Sequence, residues 1–314
     1  MTPALSVILF TTASGAGYGL LALLGLLVPF GLLPATVWFG LATLVLALAL
    51  ISGGLLSSTL HLGHPERAWR AVTQWRSSWL AREGLAALLT YLPALAFGAT
   101  WFLARRPTPP AAALGVLAAA GAIVTLFCTS MIYASLRPVR QWRNAWVTPN
   151  FLLLGGYSGA LSLAAMTHLF HAGASLPCAL SLLLGLAAII AKLFYWRSID
   201  RTPSVSTAET ATGLGHLGRV RALDAPHTEE NYLMREMGFR IARKHARRLR
   251  GLALIIGFVI PLALAIAALI LGALPALAAA VMAALLALTG IFIERWLFFA
   301  EATHTVMLYY GRAA

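Results

Sequence analysis

Charge is what this chain has least of: Asp, Glu, Lys and Arg make up 11% of its 314 residues, and only 10 residues are acidic. With 60% hydrophobic residues and a mean hydropathy of +0.82, that scarcity excludes an ordinary soluble domain. Cysteine is nearly absent too. Cys128 and Cys178 stand apart in apolar surroundings without ligand-like spacing, so they read as small buried hydrophobes. The apolar segments lack polar/apolar alternation, which excludes a membrane β-barrel. None of the eight histidines (His61, His64, His168, His171, His216, His227, His245, His304) falls near the middle of an apolar run. A bound haem needs axial histidines facing each other inside a bundle, so no haem is expected. His61, His64 and Glu66 have the spacing of metal ligands, but Pro65 interrupts them and no further ligand cluster follows, so no metal is expected.

What is present is long apolar runs. Eight of them, at roughly 4–28, 36–58, 84–103, 111–136, 150–170, 176–197, 251–271 and 276–300, are each long enough to cross a bilayer as a helix. The expected fold is therefore an all-α integral membrane protein, a bundle of eight transmembrane helices forming a single domain over residues 1–314. The first run lacks a basic leader, so it is expected to stay as the first span. Gly15-Ala16-Gly17-Tyr18-Gly19 superficially resembles a nucleotide loop, yet no strand precedes it. Close helix packing through small residues explains it better, and Gly155 to Gly159 repeats the small-xxx-small spacing.

Charge placement orients the bundle. Eight spans put both termini on one side, with the loops at 59–83, 137–149 and 198–250. The first two loops hold Arg67, Arg70, Arg76, Arg82, Arg137, Arg140 and Arg143, against only Arg105 and Arg106 on the opposite side. Lys/Arg excess marks cytoplasmic loops, so the termini are expected in the cytoplasm, in a bacterial inner membrane. A net charge of +13 could suit nucleic acid, but the basic residues border membrane spans and no nucleic-acid motif accompanies them. Attraction to anionic lipid headgroups explains them. The long basic polar loop at 198–250, between the sixth and seventh spans, reads as irregular through Gly218. Thr228 then suits the N-cap of a helix opened by Glu229 and Glu230. Leu233, Met237 and Ile241 follow at helical spacing and leave the charges elsewhere. That surface helix lies along the headgroups, docks a peripheral subunit through Arg235, Arg240, Arg243 and Arg247, or does both.

The chemistry is concentrated in few residues. His61 and Glu83 each sit where an apolar run meets a short polar loop, and ionisable groups beside spans are expensive enough to count as functional candidates. An imidazole and a carboxylate together could accept and pass on protons, as a site for a lipid-soluble quinone requires. Glu294 and Arg295 lie inside the last run, with Glu301 and His304 beyond them, and Glu294, Glu301 and His304 fall on roughly one helical face. They read as an interhelical ion pair or as a proton route to the quinone head.

Thr59-Leu60-His61-Leu62-Gly63-x-Pro65-x-Arg67-Ala68-Trp69, followed by Ser78-Trp79-Leu80-x-Arg82-Glu83, resembles the membrane anchor subunit of the dimethyl sulfoxide reductase family, as does Met131-Ile132-Tyr133. The resemblance covers essentially the whole chain. It implies a complex of three subunits, in which a molybdopterin catalytic subunit and an iron–sulfur subunit are joined by the anchor to the quinone pool, menaquinone or ubiquinone. It further implies that His61 and Glu83 serve the quinone site, with Gly63 and Arg67 at neighbouring positions. The 198–250 loop is longer than that anchor's and looks like a related branch serving cytoplasmic molybdoenzymes, including those that oxidise sulfite. There electrons run from the partner to quinone, so both directions stay open. A secondary transporter is the alternative of another class. It would carry inverted repeats and broken helices meeting at the midplane, and no convincing internal repeat is evident.

Overall fold

A helix satisfies its backbone hydrogen bonds internally, which is why a long apolar run crosses lipid in that form. The computed structural model, which describes residues 4–60, 62–202, 206–221, 223–224, 229, 231, 234 and 241–310, has eight helices of spanning length and apolarity. They are α1 (Leu5–Leu27), α2 (Val37–Thr59), α3 (Trp79–Ala104), α4 (Pro109–Ala134), α5 (Val147–Leu169) and α6 (Ser175–Arg201). After a short α7 (Ala208–Thr212) come α8, built of Ile241–Leu254, a π-helical turn at Ile255–Val259 and Ile260–Ile270, and then α9 (Ala273–Ala300). No named strand occurs among the described residues. The chain is an all-α, multi-pass membrane protein.

Two helix starts differ from expectation. α3 opens at Trp79 instead of 84, because Ser78 caps it, its hydroxyl accepting from the Ala81 N–H at 3.4 Å. α8 is already helical at Ile241, where its description begins, instead of starting at 251, so the basic stretch through Arg247, Arg248 and Arg250 is helical and continuous with the seventh span. The physical reason is common to both. Hydropathy marks where hydrocarbon ends, whereas capping and backbone hydrogen bonding decide where a helix ends.

Small residues set the packing. The most apolar windows of α1 and α5 are 78% and 67% buried, against 33–44% for the other spans, so these two form the interior and the rest face lipid. Lipid tails are as apolar as leucine, so helices associate through close backbone approach. A Cβ on Gly19 would fall 1.8 Å from the Gly155 carbonyl oxygen, and one on Gly159 2.3 Å from the Gly19 carbonyl carbon. The same device joins α1 to α4, where a Cβ on Gly25 would meet the Gly115 oxygen at 2.1 Å, and α8 to α9 through Gly257 and Gly290.

In α8, Pro261 has no N–H to return to the carbonyl of Gly257 four residues earlier. The π turn lies at that point, and the Tyr157 hydroxyl of α5 donates to the Gly257 oxygen at 3.0 Å. Tyr157 also stacks on Phe258, centroids 5.2 Å apart.

Gly19→Val should therefore abolish recovery of monodisperse protein from detergent. Tyr157→Phe should be recovered, with its unfolding midpoint lowered by a loss of about 1 kcal/mol. A Gly19→Val chain that purified with an unchanged midpoint would contradict the α1–α5 contact.

Candidate functional site

Glu83 is positioned by the early start of α3, which carries it from the expected loop into the helix, four residues after Trp79. There it packs inward at 4% exposure. The Thr129 hydroxyl of α4 donates to Glu83 Oε1 and lies 3.0 Å from the Thr125 carbonyl oxygen of its own helix. Thr129, Thr125 and, across the interface, Thr90 form a hydroxyl stripe, the last two 3.4 Å apart. Next to Glu83, Arg82 donates to the carbonyls of Trp75 (2.8 Å) and Arg76 (2.7 Å) and stacks on Trp79, fastening the loop to the start of α3.

That loop carries other expected site residues. α2 ends at Thr59 with Leu60 as its C-cap, and His61 lies outside the described residues. Gly63 is exposed, and an added Cβ there would meet nothing, so its glycine character is not a packing requirement. Residues 65–74 form an exposed 3-10 segment in which Arg67 pairs with Glu66 at 3.7 Å and His64 meets Glu66 at 3.0 Å. The described contacts thus engage Arg67 within the loop and Glu83 within the bundle. Of the docking arginines, Arg235 and Arg240 lie outside the described residues, as do Thr228, Leu233, Met237 and the side chain of Arg243; Arg247 is exposed on α8.

The constellation on α9 is joined by a residue that the sequence pattern did not single out. Lys192 of α6, 1% exposed, makes a tight ion pair with Glu294 Oε1, and Glu294 is fully buried. At 1.5 Å per residue, Lys192 lies about 14 Å along the axis from Arg201 at the end of α6. Its ammonium sits 4.2 Å from the Tyr195 ring centroid. A single cation this far inside an apolar run was the signal available in the sequence. Arg295 lies over Phe151 at 3.7 Å, its Nε 3.7 Å from Glu294 Oε2.

Nearer the end of the bundle, Arg250 of α8 donates to both oxygens of Glu301 (2.9 and 3.2 Å) and of Asp200 (2.7 and 3.0 Å), tying α6, α8 and α9 together. Burial pushes the Glu301 carboxyl above its ordinary range, and Arg250 draws it back down.

His304 departs from the shared helical face expected for it. α9 ends at Ala300, where the Gln141 side chain takes over the Thr303 N–H (3.2 Å) and hydroxyl (2.9 Å). His304 therefore falls in the following turn, its Nδ1 accepting from the Val306 N–H at 3.0 Å. Burial lowers the affinity of its imidazole for a proton, consistent with that acceptor role.

Thr129, the partner of Glu83, and Arg295, the neighbour of Glu294, both line a small cavity of about 10 Å³ whose other polar lining is Thr11, Thr12, Ser14 and Ser158. That is close to the minimum space for a single water. Thr129 therefore both bonds Glu83 and contributes to the cavity wall, to which Arg295 also belongs.

A model of the family described as DMSO reductase anchor subunit (DmsC) matches residues 1–311 of this chain. Among curated proteins, the C subunit of the sulfite dehydrogenase of Allochromatium vinosum is 35% identical over 332 aligned positions, covering 100% of both chains.

Removing one member of the Lys192–Glu294 pair strands a buried charge. Lys192→Met and Glu294→Gln should each destabilise the detergent-solubilised protein by about 3–5 kcal/mol. The double substitution should cost clearly less than the sum in thermal unfolding; simple additivity would mean that the pair is uncoupled.

Proposed function

This chain belongs to the family of DMSO reductase anchor subunits, and we propose that it is the quinone-reactive anchor of a three-subunit molybdopterin oxidoreductase that oxidises sulfite. The observation that carries the quinone reading is Glu83. It is a buried carboxyl at the end of a lipid-facing helix, held by one hydroxyl, in a chain where acids are scarce. Full-length similarity to a sulfite dehydrogenase subunit supports the direction of flow.

Oxidation of sulfite with water to sulfate releases two electrons and two protons in the catalytic partner. The electrons pass through iron–sulfur clusters of the second partner to the anchor, and reduction of a quinone to quinol consumes two electrons and two protons. Glu83 supplies a proton at a quinone carbonyl oxygen, with Thr129 fixing which carboxyl oxygen faces inward. His61, two positions after the last residue of α2 in the sequence, is the second proton donor of the proposal, with Gly63 and Arg67 following it in the same loop sequence. Reprotonation comes from the basic face, to which both termini belong. Seven arginines in its two short loops against two on the other face support a cytoplasmic placement in a bacterial inner membrane. Arg235, Arg240, Arg243 and Arg247 offer an acidic partner its docking charge. Glu294, Arg295 and Glu301 serve as structural ion pairs that hold α6, α8 and α9 in place, and His304 as a cap.

The first experiment is a pull-down of the tagged chain from native membranes with metal analysis. Molybdenum and iron should accompany it, and the material should oxidise sulfite. Glu83→Gln should then lower quinone-linked sulfite oxidation by about 100-fold or more, with sulfite oxidation by an artificial acceptor unchanged. His61→Ala should act in the same direction. Full quinone-linked turnover in both variants, with the complex assembled, would remove the site assignment.

A further inference from the structure

We propose that a cavity where the Arg140–Trp146 loop meets the end of α6 binds the phosphodiester headgroup of an anionic phospholipid. The cavity holds about 270 Å³ and is lined by Arg140, Arg143, Asn144, Trp146, Ser198 and Thr202, together with Ala145 and Ile199. Two of these are arginines, and none of the described lining residues is acidic. Asp200, the neighbouring carboxylate on α6, is already taken, both of its oxygens accepting from Arg250.

Among the described residues, the charge in the cavity has no lining carboxylate to compensate it. Nε and Nη1 of Arg140 are sealed from solvent and have no hydrogen-bond partner among the described residues. A guanidinium cannot shed its proton to escape that cost, so an anion is the chemical answer to its burial. Two phosphate oxygens match the fork of an arginine in a way that a single point acceptor does not. Asn144 is not the missing partner. Its Nδ2 donates to Ser198 Oγ at 2.8 Å and its Oδ1 accepts from the Trp146 N–H at 2.9 Å, which fixes the cavity wall.

Depth selects a lipid over a soluble anion. Ser198 and Ile199 belong to the last turn of a span, and Trp146 caps the start of α5, which places the cavity at headgroup level. Trp146 stacks on Phe194, centroids 4.9 Å apart, and Phe194 is 48% exposed on the lipid-facing side of α6. A tryptophan at the interface beside an outward phenylalanine, next to a basic cavity between spans, is an arrangement suited to a phosphate above and acyl chains below.

The test is native mass spectrometry of the detergent-purified full chain, delipidated and titrated with phosphatidylglycerol, phosphatidylcholine or inorganic phosphate. Phosphatidylglycerol should bind at about tenfold lower concentration than phosphatidylcholine, the scale of one or two arginine contacts at a headgroup. Arg140→Gln should abolish that preference and Arg140→Lys should retain part of it. If Arg140→Gln fails to purify, Arg143→Gln on the exposed rim should show the same direction of loss. Equal binding of the two lipids, or an unchanged preference in both glutamine variants, would overturn the proposal. So would displacement of phosphatidylglycerol by equimolar inorganic phosphate, which would mark a free-anion site. Retention of the lipid by the isolated chain but its exclusion from the complex with co-purifying subunits would also overturn it, placing a partner's acid in the cavity.

Discussion

Helices in lipid gain nothing from the hydrophobic effect by touching one another, so the bundle rests on how closely its backbones can approach. Three helix pairs solve this with glycine facing glycine: α1 with α5, α1 with α4, and α8 with α9. Because α1 takes part in two of these contacts, it becomes the interior helix around which the lipid-facing spans are arranged. The position of Glu83 depends on that arrangement. Its partner Thr129 is carried by α4, which glycine packing holds against α1.

Within that frame, one set of buried charges shares the cost of desolvation among several groups. Lys192, Glu294 and Arg295 are buried together, with Phe151 and Tyr195 offering ring faces to the cations. Arg250 then links Glu301 with Asp200 closer to the end of the bundle. Through Lys192 and Asp200 these contacts bring in α6, which none of the three glycine pairs ties to α8 or α9. They also take up Asp200, while Nε and Nη1 of Arg140 keep no hydrogen-bond partner among the described residues.

The two constellations in the sequence, one around Glu83 and one around Glu294, are linked in the fold through one small cavity, whose lining includes both Thr129 and Arg295. Their environments still differ in kind. Glu83 is hydrogen-bonded to a neutral hydroxyl and keeps no cationic partner among the described ion pairs, whereas Glu294 is engaged by Lys192 and lies near Arg295. A carboxyl free of a fixed counter-charge can exchange its proton during turnover. One locked to an ammonium is a structural element. The contrast separates the proposed proton donor from the proposed brace, although both are buried glutamates near one end of the bundle.

Eight spans, the inward glycines of α1 and α5, and the candidacy of Glu83 and Glu294 were legible in the sequence, because apolar length, small-residue spacing and a charge within an apolar run are local properties. Helix starts were not. Ser78 and the continuous backbone of α8 extended helices beyond the hydrocarbon boundary, and this moved Glu83 from a loop into a helical turn. The partner of Glu294 is 102 positions away and that of Glu83 is 46, so no local pattern announces them. Thr129 in particular is an ordinary residue in an apolar run until α3 and α4 pack. The sequence by itself determined how many times the chain crosses and which residues are too costly to be idle. Only the tertiary structure decided which of those residues are paired, because pairing depends on which helix faces meet.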